Sequence, residues 1–183
     1  MEFCLSEDWR QMLEEQILPP VLREHDLGDD VIEIGPGPGF TTDILRTRAG
    51  HITVVEIDEG LATGLQERLA GTNVDVINRD ATDTQLPSNR FSGATSFNML
   101  HHVPTDDAQD RAFAELGRVL QAGGLLVAAD GAPDEGLRAF HEGDTYNPID
   151  PDQLEERLSR ARFTEIEVQR YELGWTCSAC AGA

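Results

Sequence analysis

The stretch Val31-Ile-Glu-Ile-Gly35-Pro-Gly37-Pro-Gly39-Phe-Thr-Thr42 decides the fold, because a short apolar run passes into a loop in which every second residue is glycine. Glycine adopts backbone conformations that other residues avoid, and it allows a ligand to approach the backbone closely. A strand that continues through such a loop into a helix presents backbone N–H groups to a ligand. The stretch predicts a first strand over residues 31–34, a helix over residues 42–48 capped by Thr41, and a nucleotide site between them.

The next apolar run, residues 52–57, predicts a second strand that ends on acidic residues. Within it, Glu56 lies 21 positions after Gly35. In βαβ units that bind nucleotides, a carboxylate about 20 residues beyond the first glycine accepts hydrogen bonds from the ribose hydroxyls. A tight turn and a solvated carboxylate would produce this spacing only by chance, so the two features together favour a nucleotide site.

The rest of the chain alternates short apolar runs with helical patterns, which is typical of a mostly parallel sheet covered by helices. We predict one α/β domain over residues 1–183, with a three-layer, doubly wound, seven-stranded, mostly parallel sheet and an antiparallel C-terminal strand. Residues 1–27 are predicted to form a leading helical segment, and Gly123 and Gly124 are expected to cap the helix before the fifth strand. The remaining predicted strands cover residues 74–78, 93–97, 125–129, 164–172 and 175–181, and the remaining predicted helices cover residues 6–22, 59–69, 106–120, 137–141 and 150–158.

The composition is strongly acidic, with 34 acidic residues against 14 basic ones, all of them arginine, and a formal net charge of −20. Proteins bind nucleic acid mainly through contacts of Lys and Arg with phosphate groups, so we expect no nucleic-acid partner. Solubility explains the charge better than attraction of a cationic substrate does. The chain has neither a long apolar span nor the pattern of a secretory signal. We therefore expect a cytoplasmic monomer or homodimer with no membrane partner.

Three cysteines, Cys4, Cys177 and Cys180, form an odd set. A structural zinc site uses four Cys and His ligands at paired spacings, which this set does not provide. Ordinary packing, with residues 175–181 as a terminal strand, is favoured over redox or metal chemistry. We therefore predict no metal site.

The glycine loop also distinguishes between classes of nucleotide. A dinucleotide fingerprint would place its third glycine at position 40, which here is Phe40, so a nicotinamide cofactor is disfavoured. The stretch Glu33-Ile-Gly-Pro-Gly-Pro-Gly39 resembles motif I of the class I S-adenosylmethionine-dependent methyltransferases, which have a Rossmann-like fold. Val54-Val-Glu-Ile-Asp58 resembles the ribose-binding strand end of that family, and Asn78-Arg-Asp-Ala81 resembles its adenine-binding turn. With the later strand motifs over residues 91–103 and 120–125, the resemblance covers roughly residues 28–172.

The resemblance implies that the cofactor is S-adenosylmethionine and that S-adenosylhomocysteine is the product. The loop, with Gly35, Gly37 and Gly39, would hold the methionine part of the cofactor. Glu56 would bind the ribose. Glu33 would either contact the cofactor or brace the backbone beneath the loop.

The same resemblance implies how the adenine is bound. Ile57 would pack against one face of the base, because an apolar side chain covers it at little cost. Asp80, followed by Ala81, would accept a hydrogen bond from the exocyclic amine, or would be an exposed acid of a turn. Asn98, at the end of the fourth strand, would meet the cofactor from the other side or serve as a turn residue.

Two departures from the family pattern concern the fourth strand. Ser92-Gly93 stands where the family usually has an acidic residue. Enzymes that methylate base amines have an Asn/Asp-Pro-Pro/Leu-Tyr/Phe segment after this strand, whereas this chain has Asn98-Met-Leu-His-His102. The Glu33-Ile-Gly-Pro36 opening also resembles ribosomal RNA adenine dimethylases, but the missing segment and the negative charge argue against RNA. With no large inserted domain, the sequence favours a small-molecule methyl acceptor.

Methyl transfer from a sulfonium is an in-line displacement, and a general base assists only some nucleophiles. His101 is the first candidate base, because His101 and His102 follow the fourth strand at the carboxyl-end crevice. His141 is the second, in a predicted substrate loop over residues 131–150 that also holds Asp144 and Tyr146. These imidazoles could instead cap a helix or pack under the loop, and the loop could be a polar surface segment.

Two other functions remain open at this point. Every strong motif concerns the cofactor, so a protein that binds S-adenosylmethionine without transferring methyl groups has the same signature. A nicotinamide-dependent oxidoreductase shares the crevice and the ribose-binding acid.

Trp9, on the predicted leading helix, is assigned to the hydrophobic core rather than to a lid over the cofactor.

Overall fold

The computed structural model describes residues 11, 18–23, 25–141, 143–172 and 174–183. Most of the predicted leading segment, residues 1–27, lies outside the described residues, and so do Cys4 and Trp9. Within them, helix α1 (Leu18–Arg23) contains Pro19 and Pro20. None of the described helices is both long and apolar enough to cross a bilayer.

The centre of the protein is a seven-stranded sheet with the strand order β3-β2-β1-β4-β5-β7-β6. Strand β7 pairs antiparallel with both of its neighbours, and the other pairs are parallel. This confirms the predicted mostly parallel sheet with one antiparallel C-terminal strand. The strands are β1 (Asp30–Ile34), β2 (His51–Glu56), β3 (Val74–Asn78), β4 (Phe91–Phe97), β5 (Leu120–Gly131), β6 (Phe163–Arg170) and β7 (Gly174–Ala181).

Helices connect the strands in the order that the apolar patterns predict. Short 3-10 helices at Leu100–His102 and Pro151–Gln153 accompany them. After α1, the described helices are α2 (Phe40–Leu45), α3 (Glu59–Arg68), α4 (Asp106–Val119), α5 (Glu135–Phe140) and α6 (Leu154–Arg160).

The sheet separates two hydrophobic cores, which gives the predicted three layers. One core contains Ile32 of β1 together with Phe113 of α4 and Leu158 of α6. The other contains the adjacent Val31 together with Leu65 of α3. Since successive side chains of a strand point to opposite faces of the sheet, β1 is buried on both sides.

The predicted glycine cap between α4 and β5 is wrong. Helix α4 ends at Val119, and Leu120, already extended, begins β5. The register of β5 against β4 shifts between Phe91 and Gly93, and Gly123 lies in this irregular stretch with a φ of +77°. Gly123 therefore has the left-handed backbone that suits a glycine, but in an irregular strand and not at a helix end.

Two cysteines lie on β7. Cys177 is buried in one of the two cores, and its burial raises the pKa of the thiol to about 12. A thiol held in its protonated form is a poor nucleophile and a poor metal ligand at neutral pH. Its surroundings therefore favour packing over redox or metal chemistry for Cys177.

The strand order reverses between β1 and β4, which lie side by side at the centre of the sheet. In open α/β sheets, ligands bind in the crevice at the carboxyl ends of the strands where the order reverses. The fold therefore brings the ends of β1, β2 and β4, with the segments that follow them, to one place.

Candidate functional site

The loop between β1 and α2 has the geometry that its glycines allow. Gly35, Gly37 and Gly39 have φ values of +61°, +57° and +85°, a region that residues with a side chain rarely occupy. A β-carbon on Gly35 would lie 2.0 Å from Cγ of Met99, so this glycine is required where the loop passes the segment after β4.

The other two loop glycines have different surroundings. Apart from its chain neighbours, no atom of the described residues lies within 4 Å of the position that a β-carbon on Gly37 would occupy, and Gly37 lines the central pocket. A β-carbon on Gly39 would lie 2.5 Å from side-chain atoms of Leu65 and Arg68, and Gly39 is not among the residues that line the pocket. Gly37 therefore borders the ligand space, whereas Gly39 allows α2 to begin close to α3.

Glu56 ends β2 at the wall of the same pocket, and only 5% of its surface is exposed. One carboxylate oxygen, Oε2, accepts a hydrogen bond of 3.2 Å from the N–H of Gly37, and Oε1 accepts one of 3.0 Å from the N–H of Asp58. These two bonds fix the carboxylate between the glycine loop and the start of α3.

Glu33 lies behind the loop, with 1% of its surface exposed. Its carboxylate accepts hydrogen bonds from the hydroxyls of Thr41 and Thr42. Burial raises the pKa of Glu33 to about 7, although the two threonine hydrogen bonds oppose the shift. Glu33 is not among the residues that line the pocket, and this position favours the bracing role over a cofactor contact.

The predicted boundaries of the helix after the glycine loop are wrong at both ends. Helix α2 begins at Phe40 after Gly39, two residues earlier than predicted, and ends at Leu45. Thr41 was expected to cap this helix, but its hydroxyl is bonded to Glu33 and the residue lies inside the first turn.

The residues predicted to bind adenine line the pocket on the side of β3. The side chain of Ile57 is 68% exposed there, which is unusual for a large apolar residue. Asp80 and Ala81 follow β3, and Oδ1 of Asp80 accepts a hydrogen bond of 2.7 Å from the N–H of Thr82. Asn98 also lines the pocket, in a left-handed conformation with a φ of +51°.

The pocket has a volume of about 850 Å³, within the range of small-molecule and cofactor sites. Its walls combine the glycine loop, the end of β2, the turn after β3 and the segment after β4. Two arginines, Arg79 and Arg111, are also among the residues that line it. The predicted cofactor residues other than Glu33 and Gly39 are thus brought together around one cavity.

His101 does not occupy the position expected of a general base. Only 8% of its surface is exposed, and it is not among the residues that line the pocket. Its Nδ1 is bonded to the buried carboxylate of Asp130, which also accepts a 3.1 Å hydrogen bond from the backbone N–H of His101. The sequence analysis did not identify Asp130, although an acid at the end of a buried strand was a signal for it.

His102 and His141 do line the pocket, together with Asp144. Burial and the neighbouring His101 lower the pKa of His102 to about 4, so this imidazole is neutral at pH 7. His141 donates from Nδ1 to the carbonyl oxygen of Leu137 at 2.7 Å, and its ring stacks on Tyr146 with 4.8 Å between the centroids. Residues of the predicted substrate loop therefore lie at the cavity.

Comparison with known proteins identifies the family to which this chain belongs. The methyltransferase domain family matches residues 32–128, more than half of the chain. The ribosomal RNA small subunit methyltransferase A of Pelotomaculum thermopropionicum is 40% identical over 78 residues, which cover 41% of this chain and 26% of that protein. A probable enzyme of the same name from Methanothermobacter thermautotrophicus is 39% identical over 93 residues. These matches span about a quarter to a third of the length of the two relatives.

Two solved structures show the same fold over most of this chain. An S-adenosylmethionine-dependent methyltransferase from Mesorhizobium loti has a TM-score of 0.77 and 18% identity, covering 92% of this chain and 99% of that one. Phosphoethanolamine N-methyltransferase 2 of Haemonchus contortus, in complex with S-adenosylmethionine, has a TM-score of 0.74 and 17% identity, covering 95% of this chain and 52% of that one. The chain belongs to the methyltransferase domain family and has the Rossmann-like fold of the class I S-adenosylmethionine-dependent methyltransferases.

Proposed function

We propose that this protein transfers the methyl group of S-adenosylmethionine to a small-molecule acceptor. The observation that carries this proposal is a single cavity bordered by Gly37 and Glu56 at one part and by His102 and His141 at another. Its volume of about 850 Å³ is enough for a cofactor and a small acceptor together.

The contacts of Glu56 support its role as the ribose-binding acid. An ionised carboxylate offers about four lone-pair sites, and the N–H groups of Gly37 and Asp58 use two of them. The remaining sites are available to two ribose hydroxyls. The exposed side chain of Ile57, next in the chain, would then cover one face of the adenine, with Asp80 and Ala81 at its edge.

The chemistry asks little of the protein beyond positioning. A lone pair of the acceptor attacks the methyl carbon, the bond between that carbon and the sulfonium sulfur breaks, and its electrons remain on sulfur in S-adenosylhomocysteine. A proton on the acceptor atom leaves to solvent or to a base. Apolar wall residues such as Val55, Phe97 and Met99 would keep water from the reacting atoms. We place the acceptor beside His102 and His141, on loops that follow β4 and β5.

RNA is the second candidate acceptor, because the two relatives named above carry the name of ribosomal RNA methyltransferases. The net charge of −20 opposes binding of a phosphate backbone. In addition, the segment Asn98-Met-Leu-His-His102 lacks the prolines and the aromatic residue of the Asn/Asp-Pro-Pro/Leu-Tyr/Phe segment described above for enzymes that methylate base amines. We therefore favour the small-molecule acceptor.

Transfer of labelled methyl groups distinguishes these acceptors. The protein is incubated with labelled S-adenosylmethionine and either small metabolites or ribosomal subunits of its source organism. We expect label in the small-molecule fraction and none in RNA, with little transfer by a Glu56→Ala variant. Label in RNA would overturn the acceptor assignment. No transfer to either fraction by a protein that binds S-adenosylhomocysteine would indicate a cofactor-binding protein without enzyme activity.

A further inference from the structure

Three histidine rings from two separate segments lie together beside the pocket. Ligand nitrogens of His101, His102 and His141 all lie within 4.8 Å of one another. The ring centroid of His101 is 4.1 Å from that of His102 and 4.9 Å from that of His141. We propose that these three side chains form a binding site for a divalent transition-metal ion such as Zn²⁺.

The distances are compatible with coordination after small side-chain rotations. Zn²⁺ binds imidazole nitrogen at about 2.0–2.1 Å in tetrahedral geometry, which places two such nitrogens roughly 3.4 Å apart. Nitrogens that lie up to 4.8 Å apart therefore need to approach one another by up to about 1.4 Å. His102 and His141 are only partly buried, so neither ring is enclosed on all sides by the protein.

The hydrogen bonds of two rings assign the nitrogen that would bind the metal. An ionised carboxylate and a peptide carbonyl oxygen can only accept hydrogen bonds. Nδ1 of His101 faces the carboxylate of Asp130, and Nδ1 of His141 faces the carbonyl of Leu137, so both Nδ1 atoms carry the proton. In the neutral form of each ring, which is the form that binds metal, Nε2 then has the lone pair. Metal-binding histidines commonly show this arrangement, in which the second nitrogen is held by a carboxylate or a carbonyl.

Nearby carboxylates provide the charge that a divalent cation requires. Asp130 is buried against His101, and Oδ2 of Asp144 lies 3.7 Å from Nδ1 of His102. Ionised, these two carboxylates would carry a charge of −2 close to the three imidazole rings, which matches the charge of a divalent cation. Imidazole ligands favour Zn²⁺, Cu²⁺ and Ni²⁺ over Mg²⁺ and Ca²⁺, which prefer oxygen.

Three protein ligands would leave one position of a tetrahedral ion for another group. Since His102 and His141 line the pocket, this position would face the cavity, where an oxygen or sulfur atom of the acceptor can bind. Binding of the acceptor at this fourth position rests on the proposed methyl transfer, whereas the metal site does not. The proposed metal site departs from the sequence-based prediction of no metal, which considered the cysteines, and the titration below tests both.

Metal binding to the untagged, full-length protein tests the proposal. After removal of metal with a chelator, the protein is titrated with Zn²⁺ by calorimetry and with Co²⁺ by visible absorption. We expect one equivalent to bind with a micromolar or lower Kd and to give the spectrum of tetrahedral Co²⁺. The variants His102→Ala and His141→Ala should each lose 100-fold or more in affinity. His51→Ala is the matched control, because His51 bridges Asp30 and Asp75 away from the cluster and should bind metal like the parent.

Asp130→Asn tests the supporting carboxylate, and we expect about a 10–100-fold loss of metal affinity. Circular dichroism checks folding, and His102→Ala, at a partly exposed position, decides the question if the Asp130 variant does not fold. Failure of the parent to bind Zn²⁺, or equal binding by His102→Ala, would overturn the proposal. Binding of S-adenosylhomocysteine is measured on the same samples, so loss of the metal site and failure of the proposed function are distinguished.

Discussion

Replacement of Gly37 by valine is expected to abolish binding of S-adenosylhomocysteine, a loss of roughly 100-fold or more, or about 2.7 kcal/mol. The backbone N–H of Gly37 donates to Glu56, and the residue lines the pocket. Because the described part of the chain places no atom beyond the adjacent residues within 4 Å of the β-carbon position, the valine side chain would extend into the space that the cofactor needs. Calorimetry measures the affinity, and thermal melts measure stability.

Gly123→Val is the matched control for this experiment. Gly123 has a φ of +77°, close to the +57° of Gly37, and its β-carbon position is likewise more than 4 Å from every described atom outside the adjacent residues. It lies at the irregular start of β5 and is not among the residues that line the pocket. Both variants should lose about 1–2 kcal/mol of stability from backbone strain, and only the Gly37 variant should lose the ligand. A folded Gly37→Val protein that binds like the parent would remove the glycine loop from the site.

The second large effect concerns the pH dependence of stability. Burial raises the pKa of Glu33 from 4.5 to about 7, so between these two values the folded protein binds a proton that the unfolded chain releases. The contribution of Glu33 to the free energy of unfolding is therefore fully present below pH 4.5 and is lost as the pH rises to about 7. A shift of this size corresponds to about 3 kcal/mol.

Urea unfolding of the parent and of Glu33→Gln, from pH 4 to pH 8, measures this contribution. We expect the free energy of unfolding of the parent to fall relative to the variant as the pH rises from 4.5 to 7, because the amide does not ionise. Glu155→Gln, at an exposed position, is the control and should follow the parent. Parallel curves for the parent and Glu33→Gln would show that Glu33 is not held in its protonated form.

Local sequence patterns were sufficient to predict most of the fold. Strand β3 has the predicted boundaries, and helix α3 ends one residue before the predicted end, because both elements follow from a periodicity within a few neighbouring residues. The position of the pocket was also predictable, since the glycine loop and Glu56 lie at ends of adjacent strands. The start of β5 was not predictable from local sequence. The stretch with Gly123 and Gly124 resembles a glycine cap, but it lies where the register of β5 shifts against β4.

The roles of individual site residues depended on contacts between distant segments. His101 was preferred over His102 as a base, although Asp130, 29 positions away, holds His101 in the protein interior. His141 approaches these rings only because the segment after β5 returns to the end of β4. Gly39, in the same motif as Gly37, faces Leu65 and Arg68 of α3. The spacing of residues along the chain does not predict these contacts, because each of them joins segments that are far apart in the sequence.

Calorimetry with S-adenosylhomocysteine and with NADH, on the parent and on Glu56→Ala, tests the central claim most directly. The account predicts that one equivalent of S-adenosylhomocysteine binds the parent with a micromolar or lower Kd and raises its melting temperature. The Glu56→Ala variant should stay folded and bind about 5–150-fold more weakly, because it lacks the charge-assisted hydrogen bonds to the ribose. NADH should not bind. Binding of NADH without S-adenosylhomocysteine, or no shift in melting temperature at saturating S-adenosylhomocysteine, would contradict the assignment of this pocket to S-adenosylmethionine.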